Sequence, residues 1–309
     1  MASTDTTDNP FRKFITADGS SGYLAESNRY HLYSSNLCPF AQRATIVRKL
    51  KGLEDVISIT TTWKYDDKGW AFTDKIKDCT LDPFNNNFTH LRQVYQLNVP
   101  GYNGTVSVPA LYDQKTNLVV NNESGDMMQM FNSEFNKFAK FPDIDLYPKR
   151  LKDKMDDVDD NILSSYIYFQ YGCLLAKTQA DYEKSLYEYF TSLDKLEDIL
   201  SKQRYLCGDQ LTDCDIKFYV VLIRFDSVYY MLAKINLRRI TDYPNLLGYL
   251  RELYQIPAFK ETLDIELLKE TSFTGFQVRD INPSGIIPKG PVLDLTAPHG
   301  REKLPGKPY

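Results

Sequence analysis

The chain has 309 residues, 42% of them apolar and 25% charged, with a net charge of −4. That length suits about two domains, and a slightly acidic balance argues against nucleic acid as a partner. No apolar run approaches the roughly 20 residues that span a bilayer, and the start of the chain lacks the basic and apolar regions of a signal peptide, so the expectation is a cytoplasmic protein with no membrane partner.

The first segment, 1–28, is polar, carries Gly19, Ser20, Ser21 and Gly22, and reads as an irregular arm. A strand is expected over 29–35, then a helix over about 39–51 with Ala44, Ile46, Val47 and Leu50 on helical spacing. A second strand is expected over 55–61, followed by an aromatic-dotted loop over 63–87 and a short helix over 90–97. Strands over 107–112 and 118–120 flank a turn at 113–117, and helical signals resume at Glu123. From about Pro148 the pattern changes to long amphipathic segments, with helices expected over 152–177, 181–202, 212–235 and 245–254. Thr212 and Asp215 form a capping box. From Thr271 the recurring prolines, Pro283 to Pro308, predict an extended arm. The organisation is therefore an arm over 1–28, an α/β half over 29–140, an all-helical half over 148–270 and an extended arm over 271–309. The strand and helix order of the α/β half resembles the thioredoxin fold.

Cys38-Pro39-Phe40-Ala41-Gln42-Arg43 stands where the first strand hands over to the first helix. Proline is favoured in a first helical turn because its missing N–H would have no intrahelical partner. A cysteine at a helix N-terminus has its thiolate stabilised by the dipole and by the unpaired N–H groups. Most unbridged cysteines are small buried hydrophobes, but the strand–Cys-Pro–helix context favours a nucleophile. A dithiol motif needs a second cysteine three positions on; that position is Ala41. Cys38 would therefore need an external thiol to resolve a mixed disulfide.

Three other features point to the same chemistry. In thioredoxin-like folds a cis proline at the position of Val108-Pro109 turns the preceding backbone toward a bound thiol peptide, in competition with an ordinary strand-entry proline. Asn121-Asn122-Glu123-Ser124 precedes a helix whose free N–H groups and serine hydroxyl suit a carboxylate, while Glu123 suits an ammonium group; together these match the γ-glutamyl end of glutathione. Plain N-capping is the alternative there. Tyr171 and Tyr229 lie on expected helices, where a phenol can donate to a substrate oxygen, although 22 tyrosines make packing the default role for any one of them. The other cysteines, Cys79, Cys173, Cys207 and Cys214, are scattered unlike a disulfide framework, and His31, His90 and His299 lack metal-ligand spacing, so no metal is expected.

The chain resembles the cysteine-type glutathione transferases, and within them the xi class, the glutathionyl-hydroquinone reductases, with the omega class more distant. The resemblance is carried by 46–58 (IVRKLKGLEDVIS), Gly69-Trp70-Ala71-Phe72, Val119–Ser124, Arg224–Tyr229, 243–246 (YPNL) and Ile281-Asn282-Pro283. It implies a thioredoxin-like domain followed by a helical domain, and glutathione as co-substrate. It further implies Cys38 as nucleophile, Trp70, Val108, Pro109, Glu123 and Ser124 as the glutathione site, Tyr171 and Tyr229 at the acceptor site, a small aromatic or thiol-conjugate substrate, and a homodimer. The chain departs from the family at Phe40 (usually tryptophan), Thr105 (an arginine beside the glycyl carboxylate), Leu232 (a histidine) and Thr271-Ser272-Phe273 (a His-Tyr-Tyr segment). These departures leave open an omega-like thioltransferase or dehydroascorbate reductase, or a glutathione-binding or ligand-binding protein whose reductase activity has decayed.

Overall fold

The computed structural model describes residues 9–63, 65–275 and 278–309; the start of the N-terminal arm, Lys64 of the long loop and 276–277 of the C-terminal arm lie outside that description. The described residues form two compact units, one running to Asp145 and including Gly275, the other comprising Leu146–Thr274 and Val278–Tyr309.

In the first unit, strand β1 (Tyr30–Ser35) leads into helix α1 (Pro39–Leu50) and strand β2 (Ser58–Thr62). A two-residue hairpin, β3 (Tyr65–Asp66) and β4 (Gly69–Trp70), precedes helix α2 (Leu91–Asn98). Strands β5 (Ala110–Asp113) and β6 (Leu118–Asn121) and helix α3 (Ser124–Ser133) complete it. The sheet order is β2-β1-β5-β6, with β1 parallel to β2 and the other neighbours antiparallel. Every residue of β1 is buried, as befits a strand with neighbours on both edges and cover on both faces. Two expected strands shift. Residues 55–57 belong to a turn in which Val56 and Ile57 both donate to Leu53 O, so their burial reflects turn packing rather than sheet pairing. Strand β5 starts only after Pro109, which has no N–H to give the ladder.

The arm is folded onto the sheet: Arg12 bridges Asn121, Lys13 N donates to Val120 O at 2.8 Å, and Asn122 N donates to Phe11 O at 2.9 Å. Phe11 is buried with Tyr33, Trp70, Phe72, Tyr95 and Val108 in one cluster. Asn98 pins β6 from α2 as a strand neighbour would, donating to Val119 O and accepting from Val119 N, both at 2.8 Å. After α1 the chain turns at Gly52 (φ +64°), where a Cβ would stand 2.6 Å from Lys140 Cβ. The buried Lys51 Nζ donates to Pro142 O and Ile144 O.

The second unit is helical: α4 (Lys152–Val158), α5 (Ser164–Leu175), α6 (Gln179–Lys202), α7 (Asp213–Leu222), α8 (Tyr230–Leu232), α9 (Pro244–Tyr254), α10 (Pro257–Lys260) and α11 (Ile265–Thr274). The helices expected over 152–177 and 212–235 are each interrupted by a wider π turn, at Asp159–Leu163 and at Phe225–Tyr229. Lys217 ties the first of these to α7, with Nζ 2.7 Å from Asp159 Oδ2 and 2.8 Å from Asp213 Oδ2. The capping box forms as read: the buried Asp215 carboxylate accepts from Thr212 N at 2.8 Å and Thr212 Oγ1 at 2.9 Å. Tyr166 and Tyr189 stack and share a hydroxyl–hydroxyl hydrogen bond within the core.

The extended arm expected from 271 begins only after Thr274. Proline is absent from this stretch, and the threonine hydroxyls bond helical carbonyls, Thr271 to Leu267 O and Leu268 O, Thr274 to Glu270 O, so the helix continues through Thr274. From Arg279 the chain runs without helix or strand to Tyr309. No helix of the described residues is long and apolar enough to cross a membrane, no disulfide joins the five cysteines, and no cluster of metal-binding side chains occurs among the described residues.

Candidate active site

Strand directions decide which residues meet. Strand β5 runs against β1, with Tyr33 opposite Ala110, so the residues after β1 and those before β5 share one end of the sheet. Strand β6 runs against β5, with Asn121 opposite Leu111, and therefore delivers Glu123 and Ser124 to that end. Strand β2 runs with β1, Ser35 opposite Thr62, and Trp63 N donates to Ala71 O at 2.8 Å beside Trp70. Segments far apart in sequence converge by topology alone.

Cys38 is the N-cap residue of α1, extended in backbone, with Pro39 next to it. Its amide donates to Ser35 O at 3.3 Å, and its carbonyl accepts from Gln42 N at 3.1 Å. The sulfur is half-buried against the aromatic cluster and lies 3.5 Å from Val108 O, to which the thiol donates. The Val108-Pro109 bond is cis. Tyr95 holds the preceding carbonyl, its hydroxyl donating to Ser107 O at 2.8 Å; burial pushes that phenol up to about 12 and keeps it a donor at neutral pH. Phe40 sits beside Cys38's helix turn with the Arg43 guanidinium 4.7 Å from its ring centre.

Glu123 caps α3, accepting from Gly125 N at 3.3 Å with its side chain otherwise exposed, and Ser124 opens the helix as a buried residue. The turn is braced from beneath. Asn121 Oδ1 accepts from Glu123 N at 2.7 Å, while its amide donates to Lys13 O and to Asp126 Oδ2. Asp126 in turn holds Arg12. The hydrogen bond from Arg12 to Asp126 raises the guanidinium pKa, against some desolvation. This brace has no motif in the sequence, because Arg12 and Asp126 belong to segments that only the fold brings together.

Trp70 is buried, edge-on to Tyr65 at 5.2 Å between ring centres. Asp66 secures its hairpin, accepting from Lys68 N at 2.8 Å, Gly69 N at 3.1 Å and His90 Nε2 at 3.1 Å. Desolvation favours protonating Asp66, but these donors outweigh it and hold the carboxyl below its usual range. Thr105 is exposed, its carbonyl accepting from Tyr102 OH at 3.0 Å.

Of the residues read as functional, Cys38, Trp70, Val108, Pro109, Glu123 and Ser124 thus share one sheet end of the first unit. Tyr171 and Tyr229 belong to the second: Tyr171 is 39% exposed on α5, and Tyr229 closes the second π turn half-buried. Leu232, Ser272 and Phe273 are buried in that unit. Chemically, a half-buried thiol at a helix N-terminus, a backbone carbonyl beside it and a second helix N-terminus with a carboxylate suit a short peptide bearing a thiol.

Comparison with known proteins agrees with this geometry. Residues 37–134 match the family model described as glutathione S-transferase, N-terminal domain, and 179–252 the corresponding C-terminal domain. The chain is 40% identical over 300 residues to the glutathionyl-hydroquinone reductase YqjG of Escherichia coli, covering 94% of this chain and 90% of that one. The glutathione-bound structure of YqjG superimposes with a TM-score of 0.90, covering 95% of this chain and 96% of its own. The glutathione S-transferase omega-like 2 of Schizosaccharomyces pombe is 41% identical over 281 residues, 88% of each chain. The xi-class glutathione transferase structure from Natrialba magadii, 37% identical, gives a TM-score of 0.92 over 99% of this chain and 94% of its own.

Proposed function

The chain belongs to the xi class of the glutathione S-transferase family, and we propose that it reduces glutathionyl-hydroquinones or related conjugates through a mixed disulfide between Cys38 and glutathione. It is a glutathione-dependent reductase or transferase, with glutathione as co-substrate. The observation that carries the mechanism is the half-buried Cys38 sulfur at the start of α1, 3.5 Å from Val108 O.

In the first step the Cys38 thiolate attacks the glutathione sulfur of the conjugate. The carbon–sulfur bond breaks, its electron pair goes to the ring carbon, and that carbon takes up a proton to give the hydroquinone. In the second step a glutathione thiolate attacks the Cys38–glutathione disulfide, releasing glutathione disulfide and the Cys38 thiolate. Overall, one glutathione thiol and the thioether sulfur of the conjugate are oxidised to glutathione disulfide, and the ring carbon is reduced from C–S to C–H. Ala41 supplies no second thiol, so the resolving thiol comes from solution. Trp70, Val108, Pro109, Glu123 and Ser124 hold the tripeptide in this reading, and Tyr171 and Tyr229 donate to the hydroquinone oxygens. A homodimer in the reducing cytoplasm belongs to the same reading.

Thr105 and Phe273, standing where the family has an arginine and a tyrosine, favour a second reading: an omega-like thioltransferase or dehydroascorbate reductase using the same cysteine cycle. One comparison separates the two. Wild type and Cys38→Ser are assayed on glutathionyl-menadiol, dehydroascorbate and a glutathione mixed disulfide. Cys38-dependent turnover of the first substrate supports the hydroquinone reading. Turnover of only the other two removes it in favour of the omega-like reading, and no Cys38-dependent turnover of any removes both.

A further inference from the structure

The helical unit contains a cavity of about 140 Å³ that the cysteine chemistry does not use. Its walls are Ile223, Ile265, Val292 and Leu293, contributed by the end of α7, the start of α11 and the C-terminal arm. A single water needs roughly 10–15 Å³ measured in the same way, so this space suits a molecule about the size of benzene.

Two charged side chains reach this apolar space from opposite elements. Lys269 on α11 is only 4% exposed, and its ammonium donates to Lys289 O at 3.1 Å without an ion-pair partner within 4 Å among the described residues. Two of its three protons therefore have no protein acceptor among the described residues. Asp226, in the π turn, is 2% exposed; its Oδ1 accepts from Ile240 N at 3.0 Å. Its Oδ2 makes no hydrogen bond, although Arg239 Nε stands 3.5 Å away and compensates the charge. Asp226 is thus balanced in charge, with its Oδ2 enclosed by protein, whereas Lys269 has no carboxylate within ion-pair distance among the described residues. Glu266 also lines the cavity, but it is exposed and solvated. A buried ammonium with spare protons beside apolar walls is satisfied by a carboxylate attached to an apolar body.

We infer that this cavity is a binding site for a small apolar carboxylate, anchored by Lys269. The lining of this cavity includes none of Cys38, the glutathione residues, Tyr171 and Tyr229, although Asp226 shares its π turn with Tyr229 and Lys269 shares its helix with 271–273.

The test uses the full-length protein and ligand-detected NMR with 4-hydroxybenzoate, benzoate and phenol, in the presence and absence of glutathione. Saturable binding of benzoate and 4-hydroxybenzoate is expected, much tighter than that of phenol and undiminished by glutathione. Lys269→Met should weaken both acids about tenfold or more, the scale of one lost charge-assisted hydrogen bond. Val292→Trp at the 78% exposed mouth should block both acids while leaving the circular dichroism spectrum and glutathione-dependent turnover unchanged, which guards against loss of folding in the buried variant. Three results would each overturn the inference: no saturable binding at millimolar acid, binding of phenol as tight as that of the acids, or displacement by glutathione.

Discussion

Arg12 Nε lies 3.0 Å from Asp126 Oδ2, and its Nη2 lies 3.3 Å from Oδ1, so a residue of the N-terminal arm grips the first turn of α3 with both arms of its guanidinium. Asp126 also accepts from Asn121, whose own oxygen fixes the Glu123 amide. The pair therefore sets the turn on which Glu123 and Ser124 are presented. Arg12→Ala is expected to raise the KM for glutathione several-fold with kcat little changed. Because the pair is part-exposed, its stability effect should stay near ~1 kcal/mol. A double-mutant cycle with Asp126→Asn on the glutathione KM tests this; additive effects would show that the two residues do not act through each other.

The C-terminal arm is fastened by buried groups. Arg301 Nε donates to Glu252 Oε2 at 3.1 Å, and its Nη atoms donate to Leu200 O, Gln203 O and Arg204 O at 2.8–3.0 Å. The arm backbone passes so close to α9 that a Cβ on Gly248 would stand 2.7 Å from His299 O. Arg301→Ala leaves Glu252 with only Arg204 and should cost about 3–5 kcal/mol, whereas Gly248→Ala should cost about 1–3 kcal/mol by overpacking. Limited proteolysis is the readout: both variants should be cut within 294–309 at protease levels that leave the wild type intact.

How far these features could be read from the chain depended on whether their cause was local. The Cys38 helix start, the Thr212–Asp215 capping box and the short α2 all follow from nearest-neighbour chemistry and were legible. The strand shifts at 55–57 and 107–109 were not, because Val56 and Ile57 are apolar for burial in a turn, a pattern that composition shares with a strand. The π turns at Asp159–Leu163 and Phe225–Tyr229 leave the helical period almost unchanged and give no signal. For the site, the separate pieces were visible, but the Arg12–Asp126 brace and the Tyr95 support beneath Val108 were not, since each joins segments that only the strand order brings together.

Thr105 offers a direct test of one departure from the family. The loop around it is held by backbone contacts, Arg92 donating to Gly104 O at 3.1 Å and Tyr102 OH to Thr105 O at 3.0 Å, while position 105 is exposed. An arginine there is expected to be tolerated and to supply the forked donor for a glycyl carboxylate. Thr105→Arg should lower the KM for glutathione by about three- to tenfold, the range of one charge-assisted hydrogen bond near solvent, with unchanged thermal stability. The gain should vanish with a glutathione analogue amidated at the glycine; a gain that persists with the amide would rule out the clamp.

Two buried groups respond to acid in opposite senses. His31, in β1, hydrogen-bonds Ser58 Oγ through Nδ1 at 2.7 Å; burial, with a smaller contribution from Arg48, pushes its pKa from near 6.5 down to about 3. Below pH 6.5 the unfolded chain binds the proton that the folded imidazole refuses, so stability around β1 falls by up to about 1.4 kcal/mol per pH unit until about pH 3. Asp215 runs the other way. Burial raises its pKa from 3.8 to about 6, despite hydrogen bonds from Leu206 N, Thr212 and Tyr249 OH. Below pH 6 the folded carboxyl binds the proton first, so stability around α7 rises as the pH falls toward 3.8. Amide hydrogen exchange at about pH 6.5, 5.5 and 4.5, corrected for intrinsic rates, should show β1 losing protection while α7 gains it relative to an Asp215→Asn control. His31→Gln should remove the β1 trend. A β1 trend that survives that substitution would assign the acid sensitivity to another group.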